Sequence, residues 1–190
     1  NEDTKLLCEE ISKKSPFQNK AICLVDLKSL YSLCKDKING SSRINLLSAL
    51  ISIKIAEKYI SEYKVGIITP FNAQCRLIVS LLRTLSEKDD KYKNIKCATV
   101  HQFQGSECPI IIYDVVDSFG VKYISTLITT SNENDNANRL FNVAMTRAKG
   151  KFIIVANSNF LKYKKLSKQL LFYKALKQAQ IDKNVMYGNS

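Results

Sequence analysis

Five short apolar runs, separated by helix-length stretches, restrict this chain to a small set of folds. They are 21–27 (AICLVDL), 65–69 (VGIIT), 95–100 (IKCATV), 110–116 (IIIYDVV) and 152–156 (FIIVA). Each is apolar nearly throughout rather than alternating, which predicts strands buried on both faces, as in a parallel sheet. Between them the apolar positions change to helical spacing. Leu46, Leu47, Leu50, Ile51, Ile53, Ile55, Ala56, Tyr59 and Ile60 form one broad helical face, entered through a turn at Gly40-Ser41-Ser42 that offers an N-cap. Leu77, Ile78, Leu81, Leu82 and Leu85 form a second, with Asn72 placed to cap it. This alternation predicts an α/β domain whose parallel sheet carries helices on both faces. Residues 117–136 read as a long polar excursion with an apolar patch at 124–128, and 161–179 as an amphipathic helix.

The chain's 190 residues allow one domain with at most a terminal appendage. No apolar run approaches the roughly 20 residues that span a bilayer, so no membrane partner is expected. The polar, acidic start Asn1-Glu2-Asp3 is no signal peptide, and the missing initiator Met reads as a piece of a longer protein. Six cysteines, at 8, 23, 34, 75, 97 and 108, form no C-x-x-C pair and several sit in apolar runs. They read as reduced core residues rather than metal ligands, in a cytoplasmic or nuclear protein. The net charge of +12 is uneven: ten Lys or Arg between 145 and 183 face one acid, Asp182. A polyanion partner and a merely solvated helix face are both compatible with that tail.

The chemistry concentrates in two stretches. Arg139-Leu140-Phe141-Asn142-Val143-Ala144-Met145-Thr146-Arg147-Ala148-Lys149 reads as a helix from 138 to 148 that runs into the last apolar strand. Arg139, Asn142 and Thr146 share helical spacing, as do Leu140, Val143, Ala144 and Arg147. A guanidinium fixed at the end of such a helix is costly to desolvate alone, and phosphate is its usual partner. The second stretch, Thr99-Val100-His101-Gln102-Phe103-Gln104-Gly105-Ser106-Glu107, holds the chain's only His and leads into the fourth strand. Gly105 would let a backbone approach a ligand where a Cβ would crowd it.

These stretches resemble motifs VI and V of superfamily 1 helicases in the Upf-like branch, and Val65-Gly66-Ile67-Ile68-Thr69-Pro70-Phe71-Asn72-Ala73-Gln74 resembles that branch's motif IV region. The three occur in the family's order, and the likeness covers about residues 20–160. It implies a RecA-like, P-loop NTPase-type domain at 21–160, a lead-in at 1–20 and a basic helical tail at 161–190. It makes Arg147 the arginine finger that neutralises charge on the transferred phosphoryl group of ATP, a role worth about 10³ to 10⁵ in rate. The carboxylate of Glu107 matches the ribose-binding position of the family, in a turn with Gln104 and Gly105. Arg139 and Lys149 would support that nucleotide site or touch phosphates. Thr69 and Thr99, at the carboxyl ends of strands, would bond the phosphates of single-stranded DNA or RNA. His101 would contact the strand, although this branch often carries an acidic residue there. Phe71 is equally suited to stacking a base and to the core.

A complete motor also needs G-x-x-x-x-G-K-[ST] to grip phosphates and Mg²⁺. The six glycines, at 40, 66, 105, 120, 150 and 188, provide no such loop. The expectation is therefore a second motor domain without its own Walker A, inactive alone. ATP and its Mg²⁺ would be held by an N-terminal RecA-like domain of the same polypeptide. Two other classes compete. A non-catalytic nucleic-acid-binding RecA-like module would need neither Arg147 nor Glu107, and a Rossmann-type enzyme would need the G-x-G-x-x-G that the chain lacks.

Overall fold

The computed structural model describes residues 2–36, 42–129 and 136–188. In chain order its elements are α1 (Glu2–Ser12), β1 (Ile22–Asp26), β2 (Lys35–Asp36), β3 (Arg43–Ile44), α2 (Leu46–Glu57), β4 (Val65–Thr69), α3 (Asn72–Ser86), β5 (Ile95–Thr99), β6 (Cys108–Asp114), α4 (Asn136–Met145), β7 (Ala148–Ala156), α5 (Ser158–Tyr163), α6 (Leu171–Ile181) and β8 (Val185–Tyr187). A 3-10 turn, Asp90–Asn94, leads into β5. Six strands make one parallel sheet in the order β5-β4-β6-β7-β1-β8, and β2 and β3 form a separate antiparallel pair.

The predicted α/β fold with helices on both faces is present, and the period of two along each strand shows why. On β6, Ile110 and Ile112 face one side, where Ile67, Ile153 and Val155 meet Ile11, Ile53, Ile78 and Leu82 from α1, α2 and α3. Ile111 and Tyr113 face the other, where Ile68 and Ile154 meet Leu140 and Phe141 of α4 and Phe172 and Leu176 of α6. Both faces are buried, so the central strands are apolar at most positions, with buried polar exceptions at Thr69, Asp114 and Lys151.

Helix entry differs from expectation. Asn45 caps α2, its side chain accepting from the Ser48 N–H, and the expected capping turn lies partly outside the described residues at Gly40 and Ser41. Ser42 serves the next helix instead: its hydroxyl accepts from the Ala73 N–H at 2.9 Å. Asn72 does not cap α3; Phe71 occupies the cap position without a side-chain bond. The polar excursion 117–136 is described only to 129. The motif VI helix ends at Met145, three residues earlier than expected, because Ala148 already pairs with Cys108 in the sheet.

The two ends of the chain join the same core. In the lead-in, Ile11 of α1 is fully buried. In the basic tail, Phe172, Leu176 and Ala179 of α6 are buried and β8 pairs in parallel with β1. Lys151, one of the ten basic residues between 145 and 183, cannot serve a polyanion. It is fully buried, and its ammonium donates to the carbonyls of Phe17 at 2.6 Å and Lys14 at 2.9 Å. Burial lowers its pKa, and carbonyl acceptors stand in for water at the end of α1.

One connection positions much of the site. Residues 100–107 run from the carboxyl end of β5 back to the amino end of β6, across the sheet face. Phe103 anchors this crossing and is fully buried. It lies on Gly66 of β4, where a Cβ would come within 2.6 Å of both Phe103 Cζ and Ile111 Cδ1.

Candidate functional site

The residues singled out in the sequence separate into two groups at opposite ends of the strands. Glu107, Arg147 and Lys149 sit at the amino ends of β6 and β7. Thr69 and Thr99 sit at the carboxyl ends of β4 and β5. The sheet's parallel geometry enforces this, since all its strands start on one edge.

At the amino edge, a backbone bond from Cys108 N–H to the Arg147 carbonyl, 3.0 Å, brings motifs V and VI together. Lys149 Nζ and Glu107 Oε2 are 3.2 Å apart, both about half exposed. Arg147 lies in the turn between α4 and β7 and is half-buried. Its Nε donates to the Val143 carbonyl at 3.2 Å and its Nη2 to Thr146 Oγ1 at 3.3 Å. No carboxylate pairs with it among the described residues, so its charge is oriented but not neutralised. A hollow of about 450 Å³ lies beside Glu107, lined also by Lys64, Lys93, Lys96 and Ser106. Anionic groups brought to this edge meet a guanidinium and several ammonium groups, and a hydroxyl-bearing sugar meets a half-exposed carboxylate.

Gln104 and Gly105 are exposed in the crossing segment. Gly105 has φ +81°, and a Cβ there would meet nothing within 4 Å. The glycine is needed for its left-handed backbone, and the expected crowding is not seen within the chain. Arg139 is exposed on α4, two helical turns before Arg147.

At the carboxyl edge, Thr69 and Thr99 are register partners that end adjacent strands. Thr99 donates its hydroxyl to Gln102 Oε1 at 3.1 Å, and His101 is exposed just beyond it. Thr69 is fully buried, so its hydroxyl faces the fold rather than solvent. Phe71 is a core residue, 3% exposed, with the Arg43 guanidinium 5.9 Å from its ring centroid. Of its two readings, packing is the one seen.

Beneath this edge lies a buried polar network that the sequence reading missed. Gln74 Nε2 donates to Asp114 Oδ2 at 2.7 Å and to the Asn45 carbonyl at 2.9 Å, while its Oε1 accepts from Asn45 N–H. Asn45 Nδ2 donates to Ser32 Oγ and to the carbonyl of Val116. Burial pushes the Asp114 carboxyl up to about 6, against lowering by hydrogen bonds from Gln74, Ser48 and the Val116 N–H. Val116 holds φ +69°, unfavourable for a β-branched residue, and is fixed there by these bonds. The network ties α2, α3 and β6 together under the Thr69–Phe71 turn. Gln74 stands in the motif IV stretch, and that was the available signal.

Known proteins are similar to this sequence over most of its length. The family model described as AAA domain matches residues 3–159. The chain is 34% identical over 142 residues to the regulator of nonsense transcripts 1 homolog of Drosophila melanogaster, covering 72% of this chain and 11% of that protein. It is 32% identical over 139 residues to an uncharacterized ATP-dependent helicase of Methanocaldococcus jannaschii, covering 72% and 18%. It is 31% identical over 140 residues to the ATP-dependent helicase upf1 of Schizosaccharomyces pombe, covering 71% and 14%. The chain thus spans less than a fifth of the length of these relatives. No helix among the described residues is long and apolar enough to cross a membrane. The chain belongs to this AAA domain family and is a RecA-like C-terminal domain of the superfamily 1 helicase type, Upf-like branch.

Proposed function

We propose that this chain is the second motor half of an ATP-dependent helicase, contributing one wall of an ATP site and part of a track for single-stranded DNA or RNA. The observation that carries the proposal is Arg147, a guanidinium oriented by Val143 and Thr146, without a carboxylate partner among the described residues, beside Glu107. A structural arginine at this position would be expected to hold an ion pair. ATP supplies a phosphoanhydride bond whose hydrolysis drives motion between the two halves. Arg147 presents positive charge where negative charge grows on the transferred phosphoryl group. Glu107 accepts hydrogen bonds from the ribose hydroxyls, with Lys149 holding its carboxylate and Gln104 and Gly105 shaping the turn. Arg139, in the first turn of α4, is a second phosphate contact. An N-terminal RecA-like domain of the same polypeptide supplies the Walker A loop and the Mg²⁺ site. Exposed His101 meets the strand's phosphates at this edge, and the buried Thr69 and Thr99 hydroxyls hold the two turns beneath it, on the Phe71 N–H and on Gln102. The described cysteines are free thiols, which supports a reducing compartment, cytoplasm or nucleus.

The test is Glu107→Gln in the full-length protein. It should weaken ATP and GTP binding alike by about 1.5–3 kcal/mol, the value of a hydrogen bond to a charged group. The 2′-deoxy and 3′-deoxy analogues should lose affinity for the wild type and little more for the variant. Normal nucleotide binding with a lost grip on single strands would move this turn to the nucleic-acid track.

A further inference from the structure

The edge that ends in Thr69 and Thr99 continues across β6, β7 and β1 to a second feature. Between α5 and α6 lies a cavity of about 790 Å³. Five lysines line it: Lys28 after β1, Lys162 on α5, Lys165 and Lys168 in the α5–α6 connection, and Lys177 on α6. No Asp or Glu lines it. The nearby carboxylate of Asp26 is buried and bonded by Ser158 Oγ at 2.6 Å. None of the five lysines is ion-paired among the described residues. Lysines of a solvated helix face follow one helix's period. These come from four segments and converge on one hollow, with Leu161, Leu166 and Tyr173 giving it apolar walls. Cationic rims over apolar and aromatic walls suit a chain of nucleotides better than a simple ion.

Beside the cavity stands an aromatic pair. Tyr163 ends α5 and is 69% exposed; Phe119, five residues beyond β6, is 41% exposed. Their ring centroids are 6.3 Å apart. Phe119 is anchored edge-on against buried Phe160 at 5.5 Å, and Lys164 Nζ lies 4.9 Å from the Tyr163 centroid. Large exposed aromatics flanked by ammonium groups give bases a stacking surface and phosphates a counter-charge. In the sheet, β6 lies between β4 and β7, and the segment leaving β6 carries Phe119 onto α5, which follows β7 and lines the cavity. Two to three strand spacings, on the order of 10–15 Å, separate Thr69 from the ends of β7 and β1. A few nucleotides cover that distance.

We propose that a single strand held at the Thr99 edge continues over Phe119 and Tyr163 and places its backbone phosphates in the lysine-lined cleft between α5 and α6. This rests on the single-strand track proposed above and extends it to residues 119–177.

Fluorescence anisotropy of this chain with labelled oligothymidylate and oligouridylate, titrated at several salt concentrations, tests it. Lys162→Gln, Lys168→Gln and Lys177→Gln are combined; Lys165 is spared because its φ is 56°. The triple variant should reduce the slope of log affinity against log salt by about 2, at roughly 0.7 per phosphate contact on a single strand. Tyr163→Ala should weaken binding about fivefold or more at every salt concentration and leave the slope unchanged. Thermal melts of the variants should match the wild type, since these side chains are exposed. If the triple variant keeps the wild-type slope and affinity while His101→Ala weakens binding, the cleft is overturned and the threonine-edge track stands. If the triple variant loses its slope while His101→Ala has no effect, the cleft is upheld and the threonine edge is withdrawn. A wild type that binds neither oligonucleotide overturns both.

Discussion

Arg147→Ala in the full-length protein should lower kcat for ATP hydrolysis by at least about 10³, with nucleotide affinity nearly intact. A thousandfold loss corresponds to roughly 4 kcal/mol of transition-state stabilisation. The fold cannot be the source of so large an effect. The side chain's hydrogen bonds, to the Val143 carbonyl and to Thr146 Oγ1, are partly exposed, and each is worth about 1 kcal/mol. Affinity should survive because an interaction made mainly with developing charge contributes little to ground-state binding. Arg147→Lys should recover only part of the rate, since an ammonium keeps the charge but loses the planar fork. Steady-state kinetics with equilibrium nucleotide binding separates the two effects. A near-normal kcat would make Arg147 a structural residue.

Phe141→Ala should destabilise the domain by about 3–5 kcal/mol. Phe141 is 2% exposed and lies at the centre of an aromatic cluster. It meets Tyr113 edge-on at 5.3 Å, Phe152 edge-on at 5.6 Å and Phe172 at 5.3 Å. These rings come from β6, β7 and α6, so no single neighbour can collapse into the space. The loss is a large part of the roughly 5–15 kcal/mol that holds a domain folded. It bears on function because Phe141 fixes α4, whose C-terminal end presents Arg147. Urea denaturation should show a lower midpoint with an unchanged m value. A loss under about 1 kcal/mol would mean that α4 is not held there.

What the sequence revealed and what it hid follow from the same physics. The five short apolar runs were legible because a strand buried on both faces is apolar at nearly every position. The amino half of β7, Ala148 to Lys151, was not legible, since its residues are small or charged. There Lys151 is buried on carbonyls contributed by residues some 140 positions away, which no local pattern announces. β8 was missed because it is three residues long and half exposed. It forms only once β1 is present to receive it. The two groups of candidate residues were singled out by their motifs. Their separation to opposite edges needed the crossing segment 100–107 and its anchor Phe103, and the lysine cleft needed four segments brought together in space.

A domain that carries half of a motor's active site should not hydrolyse ATP by itself. The deciding measurement is ATP hydrolysis by this chain alone, with single-stranded nucleic acid present. No turnover above background is expected, because the sequence contains no G-x-x-x-x-G-K-[ST] loop to grip the phosphates. Turnover well above background that Arg147→Ala abolishes would contradict it, and would mean that the chain holds a complete site.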